Sequence, residues 1–211
     1  MTPTLSIDAY RTLLDALTTA PVESRFVTVW NARGGGDEET VTFGEYLERA
    51  AGYAALYRAS GVRARDTIVL VMDQSTALLA AFAGALLIDA VPAILAYPTF
   101  KVDPEKYRDG LAGVTRNLGA RLLIIDDAFP PDLERHLAGQ AVLRLPAAPP
   151  SARVDASTLP APRPDDVAFI QHSAGTTGLQ KGVAEVDRGG KFEGTLEYRL
   201  RAGFGGGHAQ G

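Results

Sequence analysis

The sequence predicts an α/β fold: a doubly wound, mostly parallel sheet with helices on both faces. Three observations lead there. Runs rich in β-branched residues, Thr67 to Met72, Val91 to Ala96 and Arg121 to Ile125, alternate with helical patterns at Ala77 to Ile88 and about Glu105 to Leu118. The runs are apolar throughout instead of alternating with polar residues, as expected of strands covered on both faces. With 46% hydrophobic residues over 211 positions, the chain can bury a sizeable core.

The elements follow in order. Ile7, Tyr10, Leu14 and Leu17 recur at spacings of three and four, with Asp8, Arg11 and Asp15 between them, which predicts an amphipathic helix ending before Pro21. Val27 to Trp30 is a short β-rich run, and the turn from Asn31 to Glu39 leads into Thr40 to Phe43, the pattern of a hairpin. Thr42, with Glu45 three residues on, has the spacing of a capping box and opens a helix through Ser60 that Gly61 terminates. Tyr53 and Tyr57, four apart on it, fall where packing residues fall. The stretch from Ala77 to Tyr97 is about as long as the ~20 residues of a membrane span. Asp89 and Pro92 interrupt it, however, and a buried helix followed by a buried strand accounts for it better. Asp126 and Asp127 end the third strand and are expected to be solvated instead of forming a catalytic acid pair. A short helix at Pro131 to Leu137 and a strand at Ala141 to Leu145 continue the alternation.

Six prolines, Pro146, Pro149, Pro150, Pro160, Pro162 and Pro164, then crowd a stretch of Ala, Ser and Arg that reads as an extended surface linker. The expected organisation is therefore an N-terminal α/β subdomain at 1–145 and a linker at 146–164. A strand and loop at 165–183 would open a second subdomain, and 184–211 form a glycine-rich tail whose last ten residues are expected to be disordered. The strand at Val167 to Gln171 is expected to have an unpaired edge, which would promote self-association.

Composition excludes several classes. The net charge of -4 is spread along the chain and supplies no basic stripe for a nucleic acid. The absence of cysteine removes disulfides, thiolate zinc sites and cysteine nucleophiles, and fits a reducing, cytoplasmic setting. Met1 to Asp15 lacks the features of a secretory signal. His136, His172 and His208 lack metal-ligand spacing, so no metal site is assigned. His172 is expected to position the loop that follows it or to face solvent.

The chemistry concentrates in one loop. Val167 to Gln171 leads into Ser173 to Gly182, reading SAGTTGLQKG. Gly175, Gly178 and Gly182 permit backbone torsions that let successive N–H groups converge on an anion. Ser173, Thr176 and Thr177 add hydroxyl donors, and Lys181 adds a full positive charge for a phosphate oxygen. Counting from Gly175 places Gln180 where the common triphosphate-binding loop has its second glycine, and the dinucleotide fingerprint is absent as well. A merely flexible Ser/Gly loop would leave Lys181, at this spacing after a buried strand, unexplained.

The loop resembles the signature of the adenylate-forming superfamily: acyl-CoA synthetases, fatty acyl-AMP ligases, luciferases and adenylation domains of peptide synthetases. That pattern is Ser/Thr, a small residue, Gly, Thr/Ser, Thr, Gly, two residues, Lys-Gly. Val41 to Leu47 and Leu86 to Leu95 resemble two upstream segments of the same family in the same order, so the resemblance spans about Leu5 to Val183. The stretch Tyr97 to Tyr107 and the Gln171-His172 entry look most like enzymes acting on fatty or other carboxylic acids.

The resemblance implies ATP-dependent activation of a carboxylic, by expectation fatty, acid to an acyl-adenylate, followed by transfer to a thiol of CoA or a carrier protein. It implies ATP/AMP and Mg²⁺ as cofactors. Ser173, Gly175, Thr176, Thr177, Gly178, Lys181 and Gly182 would be the nucleotide-binding positions. No catalytic residue transfers, because the family's adenine, ribose and magnesium elements and its catalytic Lys have no counterpart after Val183. Arg188-Gly-Gly and Gly205-Gly-Gly also break the strand-and-helix pattern with which the family continues. The chain is thus expected to be an N-terminal fragment, inactive alone. A non-catalytic nucleotide- or protein-binding module, or one half of a split ligase, is the alternative reading.

Overall fold

The computed structural model describes residues 10–31, 37–98, 103–135, 137, 139–172, 181–186 and 196–199. Helix α1 spans Leu13–Thr19, and strands β1 (Arg25–Asn31) and β2 (Asp37–Thr42) form the expected antiparallel hairpin. The first helix starts later than its apolar spacing suggested. Thr12 adopts extended backbone and its buried hydroxyl accepts the Asp15 N–H at 3.0 Å, which fixes the N-terminus there and leaves Tyr10 outside the helix. Ile7 lies outside the described residues.

The hairpin hands the chain to α2 (Phe43–Ala59) through the capping box read from sequence. The Glu45 N–H donates to the Thr42 hydroxyl, and the Glu45 carboxylate accepts the Thr42 N–H at 2.9 Å. Such a cap stabilises by about 0.5–2 kcal/mol. Gly61, at φ +79°, ends the helix in the left-handed region. Beyond it β3 (Thr67–Val71), α3 (Thr76–Leu86), β4 (Val91–Ile94), α4 (Pro104–Asn117), β5 (Leu122–Asp126), α5 (Pro131–Glu134) and β6 (Val142–Leu145) alternate as predicted. Asp103 caps α4 by accepting the N–H groups of Glu105 and Lys106. After a 3-10 turn at Ala156–Thr158 come β7 (Val167–His172), β8 (Lys181–Val186) and β9 (Leu196–Arg199).

Strand order in the main sheet is β6-β5-β3-β4-β7-β8-β9, with β6 through β7 parallel and the last two strands added antiparallel. Because successive side chains point to opposite faces, each strand feeds two cores. Ile68, Leu70, Ile124 and Leu145 pack with α1, α2 and α3 on one face. Val69, Val71, Leu123 and Ile125 pack with α4, α5 and Phe129 on the other. The continuous apolar runs are the direct consequence. Ala77 to Ile88, read as a buried helix, lies mostly under this cover, its helical part being α3, and among the described residues no helix is long and apolar enough to cross a membrane.

The proline-rich stretch at 146–164 packs against α2. The Tyr53 hydroxyl donates to the carbonyls of Pro146 (2.8 Å) and Ala147 (3.2 Å), and Ala152, Val154 and Leu159 rest on the α2/α3 core. Tyr57 is fully buried and donates to the Ala81 carbonyl of α3. Both tyrosines are therefore packing residues, as their spacing implied. From this stretch the chain enters β7, which hydrogen-bonds directly to β4.

Two expectations are corrected here. The edge of β7 is not left unpaired, because β8 covers it from Val167↔Val186 to His172↔Gly182. Nor does regular structure stop at Val183: β8 continues to Val186, and β9 pairs with it. Glycines at 189–190 and 205–207 hid these strands, since four- to six-residue strands between turns leave little periodic signal. Residues 202–211, expected to be disordered, lie outside the described residues.

The docking of the proline-rich stretch depends on Gly52. A Cβ there would sit 2.1 Å from the Pro150 carbonyl oxygen. Replacing Gly52 by Ala should therefore destabilise the chain by about 1–3 kcal/mol in spite of alanine's better helix propensity. Urea denaturation measures this; an unchanged or raised midpoint would contradict the packing described.

Candidate functional site

All five parallel strands end at one edge of the sheet, and the functional residues gather there. The turns that admit β3 and β7 are built alike: an aspartate carboxylate at the strand entrance, Asp66 or Asp166, accepts the N–H three residues earlier, of Arg63 (2.8 Å) or Arg163 (2.7 Å). With their entrances fixed, these strands deliver their C-terminal ends to the same edge. Helix α3, which follows β3, lies on one face, whereas α5, which follows β5, lies on the other. Loops leaving neighbouring strands in opposite directions open a crevice, the usual ligand position in such sheets.

A crevice of about 690 Å³ is found there, bordered by Met72 and Asp73 after β3, Asp126 and Asp127 at the end of β5, and Ala147 to Ser151. Asp126 organises its floor. Its carboxylate accepts the Asp73 N–H at 2.7 Å and the Tyr97 hydroxyl at 3.2 Å, and its carbonyl accepts from Arg144, which also pairs with Glu134. Asp126 therefore ties together the ends of β3, β4 and β5, which corrects the expectation of a simply solvated strand end. Asp127 is exposed.

On the other wall, Glu39 of β2 accepts from Arg49 of α2 at 2.8 Å and from the Thr76 hydroxyl of α3 at 2.7 Å. Burial acts to raise the Glu39 pKa, but these hydrogen bonds and the Arg49 charge outweigh it and hold the carboxyl below its ordinary value of 4.5. Sequence reasoning did not find this tie, because three residues on three elements, 10 to 37 positions apart, form no motif.

The predicted phosphate loop emerges from the same edge, two strands from the crevice. Lys181 and Gly182 are the first residues of β8, with Gly182 in register with His172 of β7 and with Tyr198 of β9. Strands β7 and β8 pair antiparallel, so the C-terminal end of β7 and the start of β8 lie side by side at the edge where an α/β sheet meets its ligands; residues 173–180 between them lie outside the described residues. Ser173, Gly175, Thr176, Thr177 and Gly178 lie outside the described residues, as do His136 and His208. His172 is half-buried, and neither ring nitrogen has a hydrogen-bond partner among the described residues. Burial lowers its pKa below the ordinary histidine value.

A strand, a glycine-rich hairpin loop ending in Lys-Gly, and a return strand at the ligand-binding edge of a doubly wound sheet form the setting in which residues 18–185 match the family model of AMP-binding enzymes. The chain belongs to that family. The 3-hydroxybenzoate--CoA/4-hydroxybenzoate--CoA ligase of Thauera aromatica is 34% identical over 167 residues, which cover 72% of this chain and 30% of that enzyme. The 3-aminoavenalumate diazotase of Streptomyces sp is 30% identical over 166 residues, covering 75% and 27%. A fatty acyl-adenylate ligase from L. pneumophila, solved with acyl adenylate and pyrophosphate, superposes with TM-score 0.65 at 18% identity, covering 87% of this chain and 32% of that one. At that identity the likeness establishes the fold. The chain spans less than a third of the length of these relatives.

Among the described residues no group of three His, Cys, Asp or Glu side chains could hold a metal ion.

Glu39 generates an acid-dependence. Its folded-state pKa is depressed, so its contribution to stability is present above about pH 4.5 and is lost as pH falls through the lowered folded value. Glu39→Gln should remove that part of the acid sensitivity. Urea midpoints measured from neutral pH down to about pH 3 should converge for the two proteins at the acid end; parallel curves would contradict the Glu39 tie.

Proposed function

We propose that the protein to which these residues belong activates a carboxylic acid with ATP, and that Ser173 to Gly182 hold the departing pyrophosphate. Family membership supports the reaction class, and the position of the Lys181-Gly182 strand at the ligand edge supports the loop's role.

In the reaction, a carboxylate oxygen attacks the α-phosphorus of ATP. The new O–P bond forms as the bond from that phosphorus to the β-phosphate bridging oxygen breaks, and pyrophosphate leaves with the electron pair. Charge builds on the leaving oxygens, so donors aimed there lower the barrier. Lys181 provides the cationic donor, Ser173, Thr176 and Thr177 provide hydroxyls, and the glycine-rich backbone provides N–H groups. Sheet pairing on both sides of Gly182 holds the lysine's backbone fixed. The acyl-adenylate would then pass to a thiol acceptor, CoA or a carrier protein. A fatty acid is the narrower expectation for the substrate, from Tyr97 to Tyr107 and Gln171-His172. The hydroxybenzoates named for the Thauera ligase make an aromatic acid the natural comparison.

Two measurements test this reading. Removing a charge-assisted hydrogen bond costs about 1.5–3 kcal/mol, so Lys181→Ala should weaken ATP and pyrophosphate binding by about ten- to a hundredfold in calorimetry. Equal heats for variant and parent would remove the loop's assigned role. The 211-residue chain carries no counterpart of the family's adenine and ribose elements. It should therefore not exchange labelled pyrophosphate into ATP when given either a long-chain fatty acid or 3-hydroxybenzoate. Acid-dependent exchange would show that these residues are a sufficient catalyst, and the acid that supports it would name the substrate class.

A further inference from the structure

We propose that the crevice at the ends of β3 and β5 binds an extended organic polycation, an aliphatic di- or polyamine whose ammonium groups meet Glu48 and Asp127 while its methylene chain lies on the apolar wall. The proposal goes beyond the reading of 173–182 as the phosphate loop and does not depend on it.

Topology and size mark the crevice as a ligand site before its charge is considered. It lies where the chain leaves the neighbouring strands β3 and β5 towards opposite faces of the sheet, the switch point at which open α/β sheets bind their ligands. Its volume of about 690 Å³ falls within the range of small-molecule sites. Met72 beyond β3, Ala77 of α3, and Pro149 and Pro150 of the proline-rich stretch give it apolar surface from three parts of the chain.

Charge then selects the ligand. Glu39, Glu45, Glu48, Asp73, Asp126 and Asp127 line the crevice against the single guanidinium of Arg49, so it holds more negative charge than the whole chain, whose net is -4. A concave site focuses such a field, which repels phosphates and attracts cations. A point cation does not suit it, because among the described residues no three of these carboxylates converge closely enough to hold a metal ion. Four of the six are already engaged: Glu39 by Arg49 and Thr76, Glu45 by Thr42, Asp73 by the Gln74 N–H, and Asp126 by the Asp73 N–H and the Tyr97 hydroxyl. Glu48 of α2 and Asp127 beyond β5 are exposed and have no hydrogen-bond or ion-pair partner among the described residues. They stand on different elements that face each other. Burial, opposed by Arg49 and reinforced by the Asp127 charge, raises the pKa of Tyr53 on α2, so that charge reaches the helix that carries Glu48. Two uncommitted carboxylates on separate walls, beside apolar surface, suit ammonium groups spaced along a methylene chain.

Calorimetry of the full 211-residue chain with spermidine at low ionic strength tests this. One saturable site is expected. Glu48→Gln combined with Asp127→Asn should weaken binding about tenfold, because two charge pairs are lost where salt screens them least. Glu105→Gln combined with Asp109→Asn removes the same charge from two exposed positions of α4, outside the crevice, and should leave the affinity unchanged. Magnesium chloride and sodium chloride at equal ionic strength should weaken spermidine binding equally, since no point site competes for the metal. The proposal is overturned if spermidine gives no saturable heat, if both pairs of substitutions weaken it alike, or if magnesium displaces it more strongly than sodium does.

Discussion

The placement of the site depends on one crossing of the chain. After β6 the polypeptide stands at one edge of the sheet, and β7 must be laid beyond β4, past β5 and β3. Only the stretch at 146–164 makes that journey. It does so while held to α2 by the Tyr53 hydroxyl, by the close approach at Gly52 and by apolar contacts of Ala152, Val154 and Leu159. The pairing it achieves is short, Ala93↔Ile170 and Ile94↔Gln171, yet it fixes where β7 ends. The antiparallel return of β8 then starts, at Lys181, beside the end of β7. A composition that reads as a spacer thus acts as a strut.

The same edge contains a second polar arrangement with a different character. Asp126 and Glu39 each use their charge to join separate elements: strand ends in the first case, hairpin to helix in the second. Their oxygens are committed to internal donors, which suits a structural tie. His172 is the converse case, since among the described residues neither ring nitrogen has a hydrogen-bond partner.

Much of this was legible in the sequence. The apolar runs at Thr67–Val71 and Leu122–Ile125 gave away strands buried on both faces, and Thr42 with Glu45 marked the start of α2 to the residue. These are local signals, set by periodicity and capping chemistry. The ordered set of donors at 173–182 is a reading of the sequence, most of it outside the described residues, and the pairing of Gly182 with His172 was not legible, since strand pairing is a tertiary fact. Four features escaped because they are non-local: the docking of the proline-rich stretch, the Asp126 tie across β3, β4 and β5, the Glu39 tie to Arg49 and Thr76, and the addition of β8 and β9. In each, the deciding contact joins residues that no sequence window contains. The first helix shows the reverse failure, in which apolar spacing suggested an early start and the Thr12 cap decided otherwise.

The central claim is that the phosphate chain of ATP binds at the β7–β8 connection and not in the larger crevice at the ends of β3 and β5. A crystal structure of the chain with bound ATP tests it most directly. The account predicts phosphate density against the backbone amides between His172 and Gly182, with the Lys181 ammonium in hydrogen-bond contact. Phosphates lodged instead among Asp73, Asp126 and Ser151, with the β7–β8 connection unoccupied, would contradict it.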